Sequence, residues 1–535
     1  MESLLYNVYG FDYGQIGPIW ELTRSNIVVP LFQSIVYVCL AMSLMVFVEC
    51  VFLNVVISVT KIIGKTPEKT YKSEALIANA DDNDENYPML LVQIPMFNER
   101  QVFQLSINAA CGLSWPCNRI VIQVLDDSTD PITRSMVEME CQRWAENGIN
   151  IHYEGRGNRK GYKAGALKDA MKCSYVQDCD YVAIFDADFR PDPDFLRRTI
   201  PYLVHNPEIG LVQARWVFVN ADECLLTRMQ KMSLDYHFTL EQEVGSSTYA
   251  FFGFDGTAGV WRTSTIKDAG GWEDTTTVED MDLTVRAFLK GWKFVYLGDL
   301  KVESELPSTL KAYRYQQHRW SCGHANLFKK MVKKIAMNQK VSLWRKIYVI
   351  YNVFLVRKVV AHTVAFVFYC VIMPTTVLIP EVVVPKWAST YIPITMTLLL
   401  FLYVDRSPRT LPLLMFSILF ETVMSLHKSK AIFIGLWDIG RVNEWIVTEK
   451  LGDTLKNNIK AASTVKSRLS KFRERLNMLE LIVCAYLLFC GCYDFNHGHN
   501  RYYISLFIQS FAFFLVGISY VGTFVPGSSN SNGDV

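Results

Sequence analysis

The feature that most constrains the fold is an apolar run at residues 27–59, in which Glu49 is the only charged side chain. A run of this length can cross a bilayer as a helix, and it lacks the basic start and small-residue cleavage site of a secretory signal. Residues 88–340 have the composition of a water-soluble domain, and apolar runs return after them at about 354–380, 411–427, 478–493 and 502–524. The sequence therefore predicts a polytopic membrane protein with a soluble domain inserted between membrane helices.

Basic residues predict which side of the membrane this domain occupies. Residues 428–475 carry 11 Lys and Arg, and four lysines follow the first apolar run, namely Lys61, Lys65, Lys69 and Lys72. The positive-inside rule places both groups in the cytosol. Residues 391–404 are apolar but only 14 long, which is short for a span, and a separate crossing there would move 428–475 to the far side. We therefore predict five spans, with 391–410 lumenal or re-entrant.

Composition narrows the class of protein further. The 54 Lys and Arg nearly balance 52 Asp and Glu, giving a net charge of +2, and this argues against a nucleic-acid partner. The 13 cysteines are scattered without C-x-x-C pairs, which favours reduced thiols.

The apolar runs and the basic flanks together predict the organisation of the chain. From the start, the segments are a tail at 1–26, a first span at 27–60, a linker at 61–87 and a cytosolic domain at 88–340. After them come spans with a lumenal or re-entrant segment near 385–410 within 341–427, a cytosolic interfacial segment at 428–476, two spans within 477–524, and a tail at 525–535.

Within 88–340, short β-rich apolar runs alternate with helical stretches. This alternation predicts a mostly parallel α/β sheet with helices on both faces, and such a sheet binds ligands outside the carboxyl ends of its strands. The predicted strands are 89–96, 119–125, 149–154, 181–186 and 209–219, and the predicted helices lie near 99–112, 131–147, 162–172 and 194–205.

Two acidic clusters lie at such carboxyl ends. Asp126 and Asp127 follow the strand 119–125, and Asp186 and Asp188 end the strand that begins at Tyr181. Two Asp residues separated by one residue can hold Mg²⁺ or Mn²⁺, which prefer oxygen ligands and bind few carboxylates together with substrate phosphates. One such pair is equally explained by a solvated turn; two clusters in one domain favour a ligand site.

Two later motifs complete an ordered set. Glu279-Asp280-Met-Asp282 is one, and QQHRW at 316–320 is the other. The order D…DxD…ED…QxxRW resembles the processive family-2 glycosyltransferases. The match becomes closer in PMFNE (95–99), GRGNRKGYKAGALKDAM (155–171), FDADF (185–189), GLVQARW (210–216), TTVEDMDLTVRA (276–287), LKVESELPS (300–308) and QQHRWSCG (316–323). These segments resemble the plant cellulose synthase-like A family, and that resemblance implies a Rossmann-like GT-A domain between membrane helices.

The resemblance implies roles for the acidic residues. Asp186 and Asp188 would bind the donor diphosphate through Mn²⁺ or Mg²⁺. Asp127, a predicted catalytic residue, would contact the nucleotide base and ribose, with Asp126 beside it as a substrate-binding residue. Asp280 would be the catalytic base that takes the proton of the acceptor hydroxyl, a task suited to a positioned carboxylate.

Other candidate substrate-binding residues are basic, polar or aromatic. Gln316, Arg319 and Trp320 share one face of a helix; the resemblance has the first two line the donor site and the indole stack under the terminal acceptor sugar. Lys163 is a candidate diphosphate neighbour, with a solvated loop lysine as the open alternative. Residues 445–450 resemble a gating loop that covers the nucleotide, with an amphipathic interfacial helix as the alternative; its candidate residues are Val447, Thr448 and Lys450.

The activity implied by the resemblance is processive, inverting synthesis of a β-1,4-linked mannan or glucomannan backbone. The donors would be GDP-mannose and GDP-glucose, and the polymer would be extruded across a Golgi membrane from a cytosolic site. Open alternatives are a β-1,4-glucan synthase using UDP-glucose, a single-addition lipid glycosyltransferase, and a non-catalytic scaffold or transporter. Homo- or hetero-oligomers with other wall-synthesis proteins stay open. Asp255, where the family pattern has Asn, and His324, where it has Pro, depart from the resemblance.

Overall fold

The computed structural model describes residues 20–76, 87–402, 410–439, 476–497 and 502–522. Most of the predicted interfacial segment 428–476 lies outside the described residues, and so does the tail 525–535. The same holds for the three gating-loop candidates Val447, Thr448 and Lys450.

The described part of 88–340 is built on one seven-stranded sheet with the order β3-β2-β1-β4-β6-β5-β7. Neighbouring strands are parallel except around β6, which is antiparallel to both β4 and β5. The strands are β1 Leu90–Met96, β2 Ile120–Asp126, β3 Ile151–Gly155, β4 Tyr181–Ile184, β5 Ile209–Phe218, β6 Gly259–Arg262 and β7 Lys293–Ser304. The prediction of a mostly parallel α/β sheet and of its first five strands is confirmed.

The sheet is buried on both faces, and strand β1 shows why. Leu90, Val92 and Ile94 belong to one hydrophobic core, while Leu91 belongs to a second core on the opposite face. This is the period of two expected for a strand, whose successive side chains point to opposite faces. Gln93, also fully buried, donates from Nε2 to Gln123 Oε1 on β2 at 2.9 Å.

Register brings the acidic strand ends to one edge of the sheet. Met96 at the end of β1 pairs with Asp126 at the end of β2, and Asp126 pairs with Gly155 at the end of β3. On the other side of β1, Ile184 at the end of β4 pairs with Gln93. The loops that carry Asp127 and Asp186 therefore leave the sheet on the same side.

Helices cover the sheet and continue into the apolar segments. All four helices predicted between the first five strands are observed. The helices are α1 Val29–Ile63, α2 Pro67–Thr70, α3 Phe103–Cys111, α4 Pro131–Glu146, α5 Tyr162–Ala170, α6 Phe195–His205, α7 Leu225–Tyr236 with the π-helical turns His237–Gln242 and Gly245–Tyr249 after it, α8 Thr263–Asp268, α9 Glu279–Lys290, α10 Leu310–Met337, α11 Leu343–Thr375, α12 Trp387–Phe401, α13 Thr410–Trp437, α14 Met478–His497 and α15 Tyr503–Gly517.

Within the described ranges, four helices are long and apolar enough to cross a membrane: Trp20–Ile63, Leu343–Thr375, Leu411–Trp437 and Met478–His497. Two shorter apolar helices are α12 and α15. The expectation of a polytopic membrane protein is confirmed; the count of five spans, and the lumenal or re-entrant placement near 385–410, stay predictions.

The one charge of the first apolar run is neutralised inside the helix bundle. Glu49 is 5% exposed, and its Oε1 lies 2.6 Å from Arg357 Nη2 on α11. Asn352, on the same helix, donates to the other carboxylate oxygen. Because a buried charge in a membrane segment is stable only when it is paired, this contact fixes α1 against α11.

Candidate active site

The residues of the predicted motifs meet in one cavity of about 420 Å³ at the carboxyl-end edge of the sheet. It begins between the ends of β1, β2 and β4 and extends to side chains of the membrane helices α11 and α13. The candidate residues that line it are Asp127, Lys163, Asp186, Asp188, Asp280, Gln316, Arg319 and Trp320.

Asp186 and Asp188 have different surroundings although one residue separates them. Asp188 is 5% exposed, and its Oδ2 accepts hydrogen bonds from Ser304 Oγ at 2.7 Å and from the Glu305 amide at 3.2 Å. The Asp186 side chain is 35% exposed, and its Oδ1 lies 2.5 Å from Lys163 Nζ. The backbone amide of Asp186 donates to Thr257 Oγ1 at 2.9 Å. Asp186 is therefore the carboxylate more open to a ligand, and Asp188 is held by β7.

These two carboxylates fit the ligand set of a hard divalent cation. In the described ranges no group of three or more His, Cys, Asp and Glu side chains is arranged to enclose a metal ion. Mg²⁺ and Mn²⁺ at nucleotide sites commonly take one or two carboxylates and complete their coordination with phosphate oxygens and water. The donor set of the cavity suits such an ion when a diphosphate brings the remaining ligands.

Asp127 lines the cavity, whereas Asp126 is a buried structural residue. Arg156 binds both oxygens of Asp127, with Nε 2.7 Å from Oδ1 and Nη2 2.5 Å from Oδ2. Asp126 is fully buried and absent from the cavity lining; it accepts from the Ser128 amide at 2.8 Å and from Tyr153 Oη at 3.0 Å. We therefore drop Asp126 from the candidate substrate contacts, since one oxygen binds the strand-end turn and the other binds Tyr153 on β3.

Asp280 lies in the first turn of α9, where its carboxylate faces the turn at Gly256. A Cβ atom at Gly256, whose φ is +84°, would lie 2.9 Å from Asp280 Oδ2 and 3.6 Å from Lys163 Nζ, so only glycine fits there. Burial, and after it the charge of Glu279, raise the pKa of Asp280 to about 8. A carboxylate with a raised pKa facing a cavity has the property expected of a general base.

The QxxRW residues are presented by α10. Gln316, Arg319 and Trp320 all line the cavity, as their spacing of three and four residues predicts. The close approach of α10 to the segment before α9 depends on Gly323, because a Cβ there would lie 2.8 Å from Thr277 Oγ1. Burial lowers the pKa of Arg319, opposed by the charges of Glu279 and other nearby carboxylates.

A loop at residues 253–258, which we call the 253–258 loop, holds several of these groups together. Gly256 O accepts from Lys163 Nζ at 2.9 Å, and Thr257 Oγ1 accepts from the Asp186 amide. Asp255 Oδ1 lies 3.1 Å from His237 Nε2. The loop therefore connects α5, the end of β4 and the π-helical turn after α7.

The two departures from the family pattern both line the cavity. Asp255 is part of the 253–258 loop. His324 on α10 has its Nδ1 2.6 Å from Trp320 O, and burial lowers the pKa of its imidazole to about 3. His324 is therefore neutral at physiological pH and adds no charge beside Trp320.

Sequence reasoning missed several residues of this site. Arg156 and Arg159 lie in the quoted segment GRGNRKGYK, yet only Lys163 was selected from it. The guanidinium of Arg159 lies 3.4 Å from the centre of the Phe97 ring and lines the cavity. Thr257 and His237 carried no motif signal that separated them from ordinary polar residues.

Comparisons with known proteins assign the class. The model for "Glycosyl transferase family 2" matches residues 91–262, and the model for "Glycosyl transferase family group 2" matches residues 181–404. A solved mannosyltransferase from Pyrobaculum calidifontis in complex with GDP-Man and Mn²⁺ is 16% identical to this chain, with a TM-score of 0.48. The match covers 75% of this chain and 99% of that one. A similarity at this level carries no conclusion. The domain is a family-2 glycosyltransferase, and its sheet confirms the expected α/β class.

Relatives that match nearly the whole chain identify the family more specifically. The "Probable glucomannan 4-beta-mannosyltransferase 9" of Oryza sativa is 60% identical over 96% of this chain and 98% of its own length. The "Glucomannan 4-beta-mannosyltransferase 9" of Arabidopsis thaliana is 62% identical over 96% of this chain and 95% of its own. A relative from Cyamopsis tetragonoloba is 55% identical over 95% of each chain. The chain belongs to the glucomannan 4-beta-mannosyltransferase family.

Proposed function

We propose that this enzyme builds a β-1,4-linked mannan or glucomannan backbone by processive, inverting transfer from GDP-mannose, with GDP-glucose as a second donor. The observation that carries the proposal is the meeting of three chemical groups in one cavity. Carboxylates suited to a diphosphate-bound cation, a buried candidate base and the QxxRW tryptophan all line it. The sugar identities rest on the relatives, which are named for mannosyl transfer to glucomannan.

The donor end of the cavity is suited to a nucleoside diphosphate. Asp186 and Asp188 would hold the cation, Mn²⁺ or Mg²⁺, which when bound neutralises charge on the leaving diphosphate. Lys163 and Arg319 line the same region and supply positive charge that does not depend on a metal. Arg156 holds both oxygens of Asp127, which supports the proposed contact of this carboxylate with the nucleoside.

The acceptor end supplies the proton acceptor. In the proposed step the acceptor hydroxyl gives its proton to Asp280, and its oxygen attacks the anomeric carbon. The bond from that carbon to the diphosphate oxygen breaks, and GDP leaves with the bonding electrons. One displacement converts an α-linked donor to a β-linked product. Trp320 presents an indole on which the apolar face of the terminal sugar can stack.

Processive synthesis requires that the product leave without dissociating into the cytosol. The cavity is continuous with side chains of two membrane helices, namely Arg357, Lys358 and His362 on α11 and Lys428 on α13. A growing chain that moves in this direction enters the helix bundle after each addition. This continuity favours a polymerising enzyme over a single-addition lipid glycosyltransferase.

The remaining parts of the proposal concern place and orientation. The basic flanks after the first span and after α13 favour a cytosolic catalytic domain. Location in the Golgi membrane is proposed from the family resemblance, because plant matrix polysaccharides are assembled there. Residues 445–450 are proposed as a loop over the nucleotide on their sequence alone.

The test uses membranes that carry the full chain. They are incubated with labelled GDP-mannose, GDP-glucose or UDP-glucose and Mn²⁺, and the insoluble product is digested with β-mannanase. The expected result is a mannanase-sensitive polymer from GDP-mannose that the Asp280→Asn variant does not make. A polymer from UDP-glucose alone would assign a glucan synthase, and label in the lipid extract alone would assign a single-addition enzyme. Undiminished synthesis by Asp280→Asn would contradict the assigned base.

A further inference from the structure

His237 lies between two carboxylates on the wall of the catalytic cavity. Its Nδ1 is 2.6 Å from Glu241 Oε2, and its Nε2 is 3.1 Å from Asp255 Oδ1. Since carboxylates accept hydrogen bonds, both ring nitrogens carry a hydrogen in this arrangement, which makes the ring an imidazolium. Burial opposes that charge, but Asp255 and then Glu241 outweigh it and raise the pKa of His237 to about 9.

The second oxygen of Asp255 is held by two amide side chains. Gln213 Nε2 on β5 and Gln242 Nε2 on the π-helical turn after α7 donate to Oδ2 at 2.6 and 2.7 Å. Gln213 Oε1 accepts from the Asp255 amide at 3.2 Å, and Gln242 also donates to Gly253 O at 2.9 Å. Asp255 thus links the 253–258 loop both to the sheet and to the π-helical turn after α7.

The residues directly after Asp255 contact the proposed catalytic groups. Gly256 O accepts from Lys163, and Thr257 Oγ1 accepts from the amide of Asp186. The turn at Gly256 also approaches Asp280 so closely that a side chain there would collide with its carboxylate. A small displacement of Asp255 would therefore move contacts made to the donor residues and to the base.

We propose that Asp255 and His237 form a positioning ion pair that holds the 253–258 loop against the helix after α7 and so keeps Lys163, Asp186 and Asp280 in register. The inference rests on the proposed function for the reaction in which these residues act. Neither member of the pair is assigned contact with the reacting atoms. Their effect is transmitted through the backbone at residues 256 and 257.

Replacing Asp255 by Asn keeps the hydrogen bonds of this arrangement and removes the negative charge. The amide oxygen of Asn accepts from Gln213 and Gln242 as the carboxylate does. Its NH₂ donates to Nε2 of a neutral His237, whose Nδ1–H then donates to Glu241. Every contact is kept, but the loop no longer depends on a protonated imidazole. With Asp at position 255 the geometry of the site therefore depends on pH, whereas with Asn at this position it does not.

Other charged groups face this pair from neighbouring helices. Arg357 and Lys358 on α11 act on Glu241, and Asp255 itself acts on Asp280 on α9. His324 on α10 is neutral, because burial and, among lesser causes, the charge of His237 lower its pKa. Replacing Asp255 by Asn leaves Arg357 and Lys358 in place. Because Asp255 also contributes, after burial, to the raised pKa of Asp280, its removal moves the acid limb to lower pH. A change in the alkaline limb is therefore the one assigned to the Asp255–His237 pair.

The test compares pH–rate profiles of the full-length wild-type enzyme, Asp255→Asn and Asp255→Ala in membranes. Transfer is scored as nucleoside diphosphate released from whichever nucleotide sugar supports it, so the result does not depend on the product being mannan. Wild-type transfer is expected to fall as pH rises through about 9, whereas Asp255→Asn keeps neutral-pH activity and loses this alkaline fall. Asp255→Ala, which removes the shared acceptor of Gln213, Gln242 and His237 Nε2, is expected to lose about 10-fold or more at every pH.

The matched control is Asp235→Asn. Asp235 lies two residues before His237, pairs with Arg215 and Lys231, and does not line the cavity. Its profile is expected to follow the wild type. An unchanged alkaline fall in Asp255→Asn would overturn the proposal, as would wild-type activity in Asp255→Ala.

A second measurement needs no catalysis. The folded pKa of His237 is above its unfolded value of about 6.5, so the ion pair adds stability at lower pH and loses it as pH rises through about 9. The melting midpoint of the purified wild type should therefore fall relative to Asp255→Asn over that interval. A pH-independent difference would overturn the positioning pair, and this holds even if no polymer is made and the proposed function fails.

Discussion

Lys163 and Asp186 form an ion pair inside the catalytic cavity, with Lys163 Nζ 2.5 Å from Asp186 Oδ1 and 2.9 Å from Gly256 O. The Lys163 side chain is only 12% exposed, which excludes the solvated loop lysine that the sequence left open. Its ammonium group lies beside the carboxylate proposed to hold a diphosphate-bound cation. In the proposed reaction the lysine supplies fixed positive charge at the point where the leaving group gains negative charge.

Replacing Lys163 by Met should reduce kcat/KM for the nucleotide sugar by about 10²- to 10³-fold, the usual effect of losing one preorganised contact to developing charge. The measurement is diphosphate release at varied donor concentration. Lys168→Met is the control, since Lys168 lies on the same helix, pairs with Asp274 and is absent from the cavity lining. Equal rates for the two variants would remove Lys163 from the donor site.

Asp186 and Asp188 should respond differently to removal of their side chains. Both Asp→Ala variants should lose activity and lose any stabilisation by Mn²⁺ plus GDP, because the proposed cation needs both. Only Asp188→Ala should unfold markedly more easily, by about 1–3 kcal/mol, because it leaves the Ser304 hydroxyl and the Glu305 amide without their buried acceptor.

The measurement for this pair is the melting midpoint of the purified protein with and without Mn²⁺ and GDP. The control is Asp192→Ala, which removes an exposed carboxylate from the same segment. If Asp186→Ala were as unstable as Asp188→Ala, the proposed division into an open ligand and a structurally held ligand would be wrong.

The acid side of the pH–rate profile should report Asp280. Because the base must be ionised to accept a proton, and because its pKa is raised to about 8, transfer should decline as pH falls below that value. Glu279→Gln removes the neighbouring charge that is the second cause of the raised pKa. The acid limb should then move to lower pH, and a limb that stays at the same pH would show that another group controls it.

The sheet shows what sequence patterning predicts and what it does not. Strands β1 to β5 and the helices between them follow from apolar runs bounded by polar turns. Strand β6 has only four residues and begins at Gly259, and β7 places Asp299, Lys301 and Glu303 among its apolar residues. Both strands are stabilised by neighbours distant in the chain, so their local sequences carry little strand signal.

The site divides in the same way. The sequence shows which predicted strands are followed by Asp. The structure brings these strand ends together because the parallel register of the strands fixes their positions. The bidentate contact of Arg156 with Asp127 joins positions 29 apart. The folded geometry makes Arg156 the partner of Asp127. In the sequence, nothing distinguishes Arg156 from the neighbouring basic residues Arg159 and Lys160. The Asp255–His237 pair is likewise formed by folding of the 253–258 loop onto a helix.

The acceptor side of the site can be tested at Trp320. The side chain lines the cavity on the same helical face as Gln316 and Arg319, and its ring is proposed to stack under the terminal sugar. Trp320→Ala should lower polymer formation by about 10-fold or more, equivalent to about 1.4 kcal/mol of lost sugar contact. Donor binding, measured with labelled GDP, should change little because the indole does not contact the diphosphate in this proposal. Trp320→Phe should restore part of the activity, since a smaller aromatic face remains.

The control for Trp320 is Trp344→Ala. Trp344 is 74% exposed at the start of α11, where an indole typically acts as a membrane-interface residue. This substitution should reduce neither donor binding nor elongation. If both tryptophan variants lost polymer equally, membrane placement would account for the effect. If Trp320→Ala weakened GDP binding as strongly as elongation, the indole would belong to the donor site, and the acceptor terminus would have to be positioned by other side chains of the cavity.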